Sequence, residues 1–149
     1  MKSLQIMFAA LVMGVLSLTA CATDRMSDNQ QLALYRAHAA APVQSFRYLN
    51  RIDGWTPLGD SAVAIWTRPN EAYLLEVDNP CPDLDFAQAI GLTSQFGIVY
   101  SRFDKVIPRT GAGGPEPMPC HIRQIRPLDV KALKAAEKDI RRESAKASG

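Results

Sequence analysis

Ala62-Val63-Ala64-Ile65-Trp66-Thr67-Arg68-Pro69-Asn70-Glu71-Ala72-Tyr73-Leu74-Leu75-Glu76-Val77 is the stretch whose reading decides the fold. It holds two runs of alternating side chains. Val63 and Ile65 share one face of the first run, and Ala62, Ala64 and Trp66 share the other. In the second run Tyr73, Leu75 and Val77 lie together. Between them, Arg68-Pro69-Asn70-Glu71 suits a tight turn, because Pro presets φ at its second position and Asn tolerates the third. The spacing predicts an antiparallel hairpin over 62–77. Both faces are apolar, so the hairpin belongs in the middle of a sheet that is covered on both sides.

Upstream, the same period of two begins at Val43. It puts Phe46, Tyr48 and Ile52 on one face and Arg47 and Arg51 on the other. Asp53-Gly54 signals a turn, and the segment from Gly54 to Asp60 reads as a bridge into the hairpin. Residues 29–40 read as a short helix, started by Asp28 and Gln31 at capping-box spacing and stopped before Pro42. Its apolar stripe is thin (Leu32, Tyr35 and Ala39), which suits a weakly packed helix or a spacer.

Downstream, Asp78-Asn79-Pro80 ends the second strand. Asp85 and Gln88 repeat the capping-box spacing and Gly91 follows, so Phe86 to Ile90 reads as a short helical turn. Ile98 to Phe103 is a strand, which Lys105 to Ile107 extends or follows. Thr110 to Pro119, with three glycines and three prolines, reads as an exposed loop. Cys120 to Arg126 is the last strand, and Ile122 and Ile125 break its alternation in a way that suits a bulge. A helix from about Asp129 to Glu143 closes the domain, with Asp129 as its cap and Val130, Leu133, Ala136 and Ile140 near one face. The expected class is α+β: a small, curled, mostly antiparallel sheet of four to six strands, with a short helix and a C-terminal helix packed on it.

The amino terminus speaks to location. Lys2 precedes a 13-residue apolar run, Ile6 to Leu18, which ends in Leu18-Thr19-Ala20-Cys21. A positive start, a short apolar centre and small residues at the cut form a secretory signal. Thirteen residues rise about 20 Å as a helix, short of a roughly 30 Å hydrocarbon core. Leu18 to Cys21 resembles the lipobox, with Cys21 as the lipidated first residue; the bland alternative is an ordinary cut near Ala20 or Ala22. Ala22, rather than Asp, after that cysteine favours the outer membrane by analogy with sorting signals. The expected organisation is a signal peptide over 1–20, a tether with a short helix over 21–44, one globular domain over 45–143 and a frayed tail over 144–149.

Removing 20 of the 149 residues leaves 129, and removing Lys2 lowers the net charge from +2 to +1. That is one domain by size, with no electrostatic case for nucleic acid. An exported chain meets an oxidising compartment, where Cys81 and Cys120 pair most readily as a disulfide. The partner expected is the membrane, through Cys21, together with an envelope protein or cell-wall component. Oligomeric state is not readable.

No chemical motif stands out. Gly111-Ala112-Gly113-Gly114 lacks the Lys-Ser/Thr of a phosphate loop. Asp78, Asp83 and Asp85 lack the Gly and Glu of a calcium loop, and Asp83 and Asp85 suit a helix start. His38, among alanines, reads as a solvated residue. His121 with Ser94 or Ser101 and one of those aspartates could form a hydrolase triad, but no nucleophile elbow is present. With one usable His, zinc catalysis is short of ligands. Neither metal nor cofactor is expected, and the enzyme reading is the weaker one. Trp55, Arg68 and Tyr73 form the candidate ligand-binding set, since aromatics beside an Arg line sugar and peptide grooves; core packing explains Trp66 and Tyr73 as well. From His121 to Gly149, eight Lys or Arg face four Asp or Glu. A solvated helix face explains this surplus better than an electrostatic foot on anionic lipid.

Thr67 to Leu75, Cys81-Pro82-Asp83-Leu84 and Cys120-His121-Ile122-Arg123-Gln124-Ile125-Arg126-Pro127 resemble a family of small exported proteobacterial proteins known only as a domain of unknown function. The resemblance covers about residues 45–135. It implies export, the cysteine pair and one compact domain, and it carries no activity or catalytic residue.

Overall fold

A computed structural model describes residues 25–49, 51–78, 80–111 and 117–149. The expected signal peptide over 1–20 and Cys21 lie outside the described residues, as does the middle of the Thr110–Pro119 loop. In chain order the elements are α1 (Asp28–Ala37), β1 (Ser45–Arg47), β2 (Gly54–Pro57), β3 (Ala62–Arg68), β4 (Glu71–Val77), β5 (Ala89–Leu92), β6 (Ile98–Tyr100), β7 (Lys105–Arg109), β8 (Cys120–Pro127) and α2 (Val130–Ala147). Six strands form one sheet in the order β2-β3-β4-β8-β7-β5, and β1 pairs with β6 as a separate ribbon. Every strand pair is antiparallel. The sheet curls nearly into a barrel, so the α+β expectation holds.

The 62–77 hairpin sits inside the sheet, as its two apolar faces require. Val63 and Ile65 of β3, with Leu75 and Val77 of β4, enter a core inside the curl, together with Phe46, Val99, Val106, Ile122 and Ile125. Ala62, Ala64, Ala72 and Leu74 face the other way, onto Leu32 and Tyr35 of α1 and Val130 and Leu133 of α2. Three of those four sheet residues are alanines, which lets both helices approach closely. Register shifts break two ladders, between Trp66 and Arg68 and where Val77 passes to Ile122 of β8. The second matches the bulge that the broken alternation of Ile122 and Ile125 implied.

Several local expectations are corrected. The Gly54–Asp60 bridge contains strand β2, and Trp55 pairs with Ile65. Phe86 to Ile90 is not a helix: the Gln88 amide donates to the Arg109 carbonyl, and Ala89–Leu92 pairs with β7. One helical turn does not offset the cost of helix nucleation, whereas a neighbouring strand satisfies every second backbone group. Ile98–Phe103 splits at Tyr100. There buried Asp104 accepts from the Tyr100 amide and the Thr93 hydroxyl, both at 2.7 Å, and turns the chain into β7.

Helix α1 is capped one residue earlier than expected, by Ser27 with Gln30. It is also no spacer. Leu32 and Tyr35 are buried, and Arg36 Nε donates to the buried Glu76 carboxylate at 2.7 Å. Helix α2 runs on to Ala147, so the tail from 144 is largely helical. Lys134 latches α2 to the hairpin turn, donating to the Pro69 carbonyl at 2.8 Å. Among the described residues no helix is long and apolar enough to cross a membrane.

The seam between the helices predicts a pH response. Tyr35 donates to Glu137 Oε1 at 3.1 Å. Burial, with the Glu137 charge adding to it, pushes the Tyr35 phenol up to about 12. The unfolded chain ionises this phenol near its ordinary value of about 10, before the folded chain does. The contribution of Tyr35 is therefore complete below pH 10 and is lost as pH rises through 12. Urea midpoints measured from pH 9 to 12 are expected to fall along this limb, and Tyr35→Phe is expected to flatten it. Identical slopes in both chains would refute the assignment.

Candidate functional site

The sheet has two ends. At one, the Leu58–Asp60 turn joins β2 to β3 with Gly59 at φ +80°, and helix α1 begins against it: the Asp28 Cβ would stand 3.4 Å from any Cβ added at Gly59. At the other end β3 turns into β4. Seven-residue β4 spans roughly 23 Å between them. The second end carries a cleft of about 410 Å³.

Its walls come from three places. Alternation along β1 sends Phe46 inward and Arg47 outward. Phe46 stacks on Tyr73, ring centroids 4.4 Å apart and planes at 20°, which fixes the tyrosine as the floor. The segment after β1 contributes Leu49, Arg51 and Asp53, and the hairpin turn contributes Thr67, Arg68 and Glu71. The acids are already engaged. Arg51 Nε lies 3.4 Å from Asp53 Oδ1, and the Thr67 hydroxyl donates to Glu71 Oε1 at 2.5 Å. Arg47 and Arg68 form no ion pair among the described residues. Burial and then the Glu71 charge raise the Tyr73 phenol against the opposing pull of Arg68, so it stays a protonated donor at neutral pH. The cleft thus offers two unpaired guanidinium groups, a third shared with Asp53, and one phenol to an anionic ligand.

Of the candidate binding residues, Arg68 and Tyr73 share this cleft. Trp55 does not line it; it packs half-buried on the inner core, on the face of its cross-strand partner Ile65. Trp66 is held between layers, donating to the Thr56 hydroxyl at 3.2 Å with Lys134 Nζ 5.6 Å above its ring. Sequence reasoning missed Arg47 and Arg51 as site residues, although their outward positions were legible. Nothing local announced that they would converge with Arg68.

The triad residues are not assembled. His121 is exposed on β8, and among the described residues its side chain makes no hydrogen bond. The Ser101 hydroxyl is spent on the Gln44 carbonyl at 3.2 Å. His38 follows the last turn of α1, and its carbonyl accepts from the Asp129 amide at 2.9 Å. Among the described residues no cluster of His, Cys, Asp or Glu could hold a metal, the aspartates around Cys81 included. Cys81 and Cys120 are joined as a disulfide, with Cα atoms 6.1 Å apart, tying the end of β4 to the start of β8.

Fold and cleft together define a small, disulfide-stapled α+β domain with a basic, aromatic-floored surface cleft. The chain belongs to a family of unknown function (DUF6491), whose model matches residues 3–144. That match runs past the 45–135 span of the sequence resemblance at both ends. No curated protein and no solved structure matches the chain.

Proposed function

We propose that this protein is a lipid-anchored envelope lipoprotein, held through Cys21 and most consistent with the outer membrane. On this reading it works as a non-enzymatic binding module for an anionic envelope component. The observation that carries the binding part is the convergence of Arg47, Arg51 and Arg68 on the Tyr73 floor. The leader, with its Leu18-Thr19-Ala20-Cys21 ending, supports the anchor.

Binding of soluble cell-wall fragments and of anionic lipid vesicles by the full chain is expected to weaken with salt. Arg68→Gln is expected to weaken it about tenfold, the worth of one charge-assisted contact, and Arg47→Gln by a similar factor. Calorimetry and vesicle cosedimentation read these changes. Salt-insensitive binding, or binding that Arg47→Gln/Arg68→Gln leaves intact, rules the cleft out. The anchor is checked separately: Cys21→Ser is expected to abolish the acyl mass increment of the mature chain, and an unmodified mature amino terminus in the parent would remove it from the reading.

A further inference from the structure

Beside the cleft the chain makes a two-residue reversal. Gln95 and Ile98 exchange backbone hydrogen bonds of 2.9 and 3.0 Å around Phe96-Gly97. Both central residues have positive φ, 52° at Phe96 and 75° at Gly97. That is the pattern of a type I′ hairpin turn, whose preferred occupants are Asn-Gly and Gly-Gly. Gly97 is needed, since a Cβ there would stand 3.0 Å from the Tyr48 carbonyl oxygen. Phe96 is the anomaly. A bulky side chain is disfavoured in the left-handed region, and this one is 104% exposed, so among the described residues no contact offsets its strain. Leu49 stands opposite by register: Arg47 pairs with Ile98, and the Tyr48 amide donates to the Gly97 carbonyl. It too is exposed, at 67%. Two apolar side chains therefore project from the end of the β1–β6 ribbon, next to the cleft that Leu49 shares with Arg47, Arg51 and Arg68.

We propose that this tip contacts a membrane: Phe96 and Leu49 enter the interfacial layer of a bilayer with anionic headgroups, while Arg47, Arg51 and Arg68 meet the headgroup phosphates. The proposal rests on the cleft as a site for an anionic envelope component, and it names that component. Two observations choose a bilayer over a soluble ligand. A side chain without neighbours is buried only by a medium that closes around it, and the boundary between headgroups and acyl chains does so without a preformed pocket. The guanidinium groups beside the tip complement the negative surface of such a layer, where each basic residue strengthens binding roughly fivefold.

Phe96→Trp in the full chain reports the tip directly, with the parent chain supplying the Trp55 and Trp66 background. In phosphatidylglycerol vesicles with brominated acyl chains, its added emission is expected to shift blue and to be quenched. Neither change is expected in phosphatidylcholine vesicles. Phe96→Asn is expected to weaken the salt-sensitive part of vesicle binding about tenfold. The same substitution is expected to raise Tm by a few degrees, because Asn suits the left-handed position. A purely structural Phe96 would not combine those two effects. Unquenched Phe96→Trp emission in anionic vesicles, or undiminished binding by Phe96→Asn, overturns the proposal. Salt-sensitive binding of soluble cell-wall fragments without vesicle contact overturns it while the cleft reading stands; binding of neither removes both. Self-association that Phe96→Asn abolishes assigns the tip to a second copy and likewise overturns it.

Discussion

Replacing Cys81 and Cys120 together by alanine is expected to cost about 4 kcal/mol, the chain-entropy value for a closed loop of this size. The pair lies 39 residues apart in sequence. The bridge ties the segment just past β4 to the first residue of β8, close to where their ladder is interrupted: β4 and β8 slip register between Glu76 and Val77, just before Val77 meets Ile122. Without it, the start of β8 is held to β4 by a broken ladder. Cys81 is also 1% exposed within the inner core, so its removal leaves a small void as well. A domain of this size is stabilised by roughly 5–15 kcal/mol in total, and Tm is expected to drop by roughly 15 °C. Thermal unfolding of the double variant, and of the parent in reductant, reads the change. A drop under about 3 °C in both would show that the bridge contributes little to the folded state.

Leu75→Ala carries the second large effect. Leu75 is fully buried, and its cross-strand partners Val63 and Ile125 flank it on both sides within the inner core. Two hydrogen-bonded ladders hold its backbone, so the site cannot collapse around a smaller side chain. The expected loss is about 3–4 kcal/mol, made of lost transfer energy and residual cavity. Leu75→Met keeps the volume and is expected to cost under about 1.5 kcal/mol. Urea denaturation should show a lower midpoint at unchanged slope for the alanine variant. A loss below about 1 kcal/mol would mean that the two faces of the sheet are not separately packed, contrary to the alternation along β3 and β4.

What the sequence made legible was mostly contiguous. The hairpin could be read because its turn, its alternation and its two apolar faces all lie within 62–77, and each agrees with the others. The α2 cap at Asp129 was local too. Failures came where partners are distant. Ala89–Leu92 became a strand because β7 lies beside it, and nothing in its own residues says so. The α1 cap slipped by one because Ser27–Gln30 and Asp28–Gln31 are overlapping frames of one signal, and only the backbone shows which is used. The cleft follows the same rule. Arg47 and Arg51 were visibly outward, but their meeting with Arg68 depends on the ribbon folding back toward the hairpin turn. Trp55 falls outside the cleft because its segment, which reads as a bridge, is strand β2. Once it is a strand opposite Ile65, alternation turns the indole toward the core.

The way the chain enters the domain also has a mechanical consequence. Tension arriving from the amino terminus passes along α1 to Arg36, whose guanidinium grips Glu76 in the middle of the sheet. Two residues past the helix, Arg126 clasps the Ala39 and Ala40 carbonyls at 2.9 and 2.8 Å, and short bridges join Ala39 to Leu128 and Val43 to Ile125. Load is thus shared among several clasps on β4 and β8, strands with neighbours on either side, and does not fall on an edge strand that could be unzipped bond by bond. A globule hung by its amino terminus from a moving support would keep its shape under that pull.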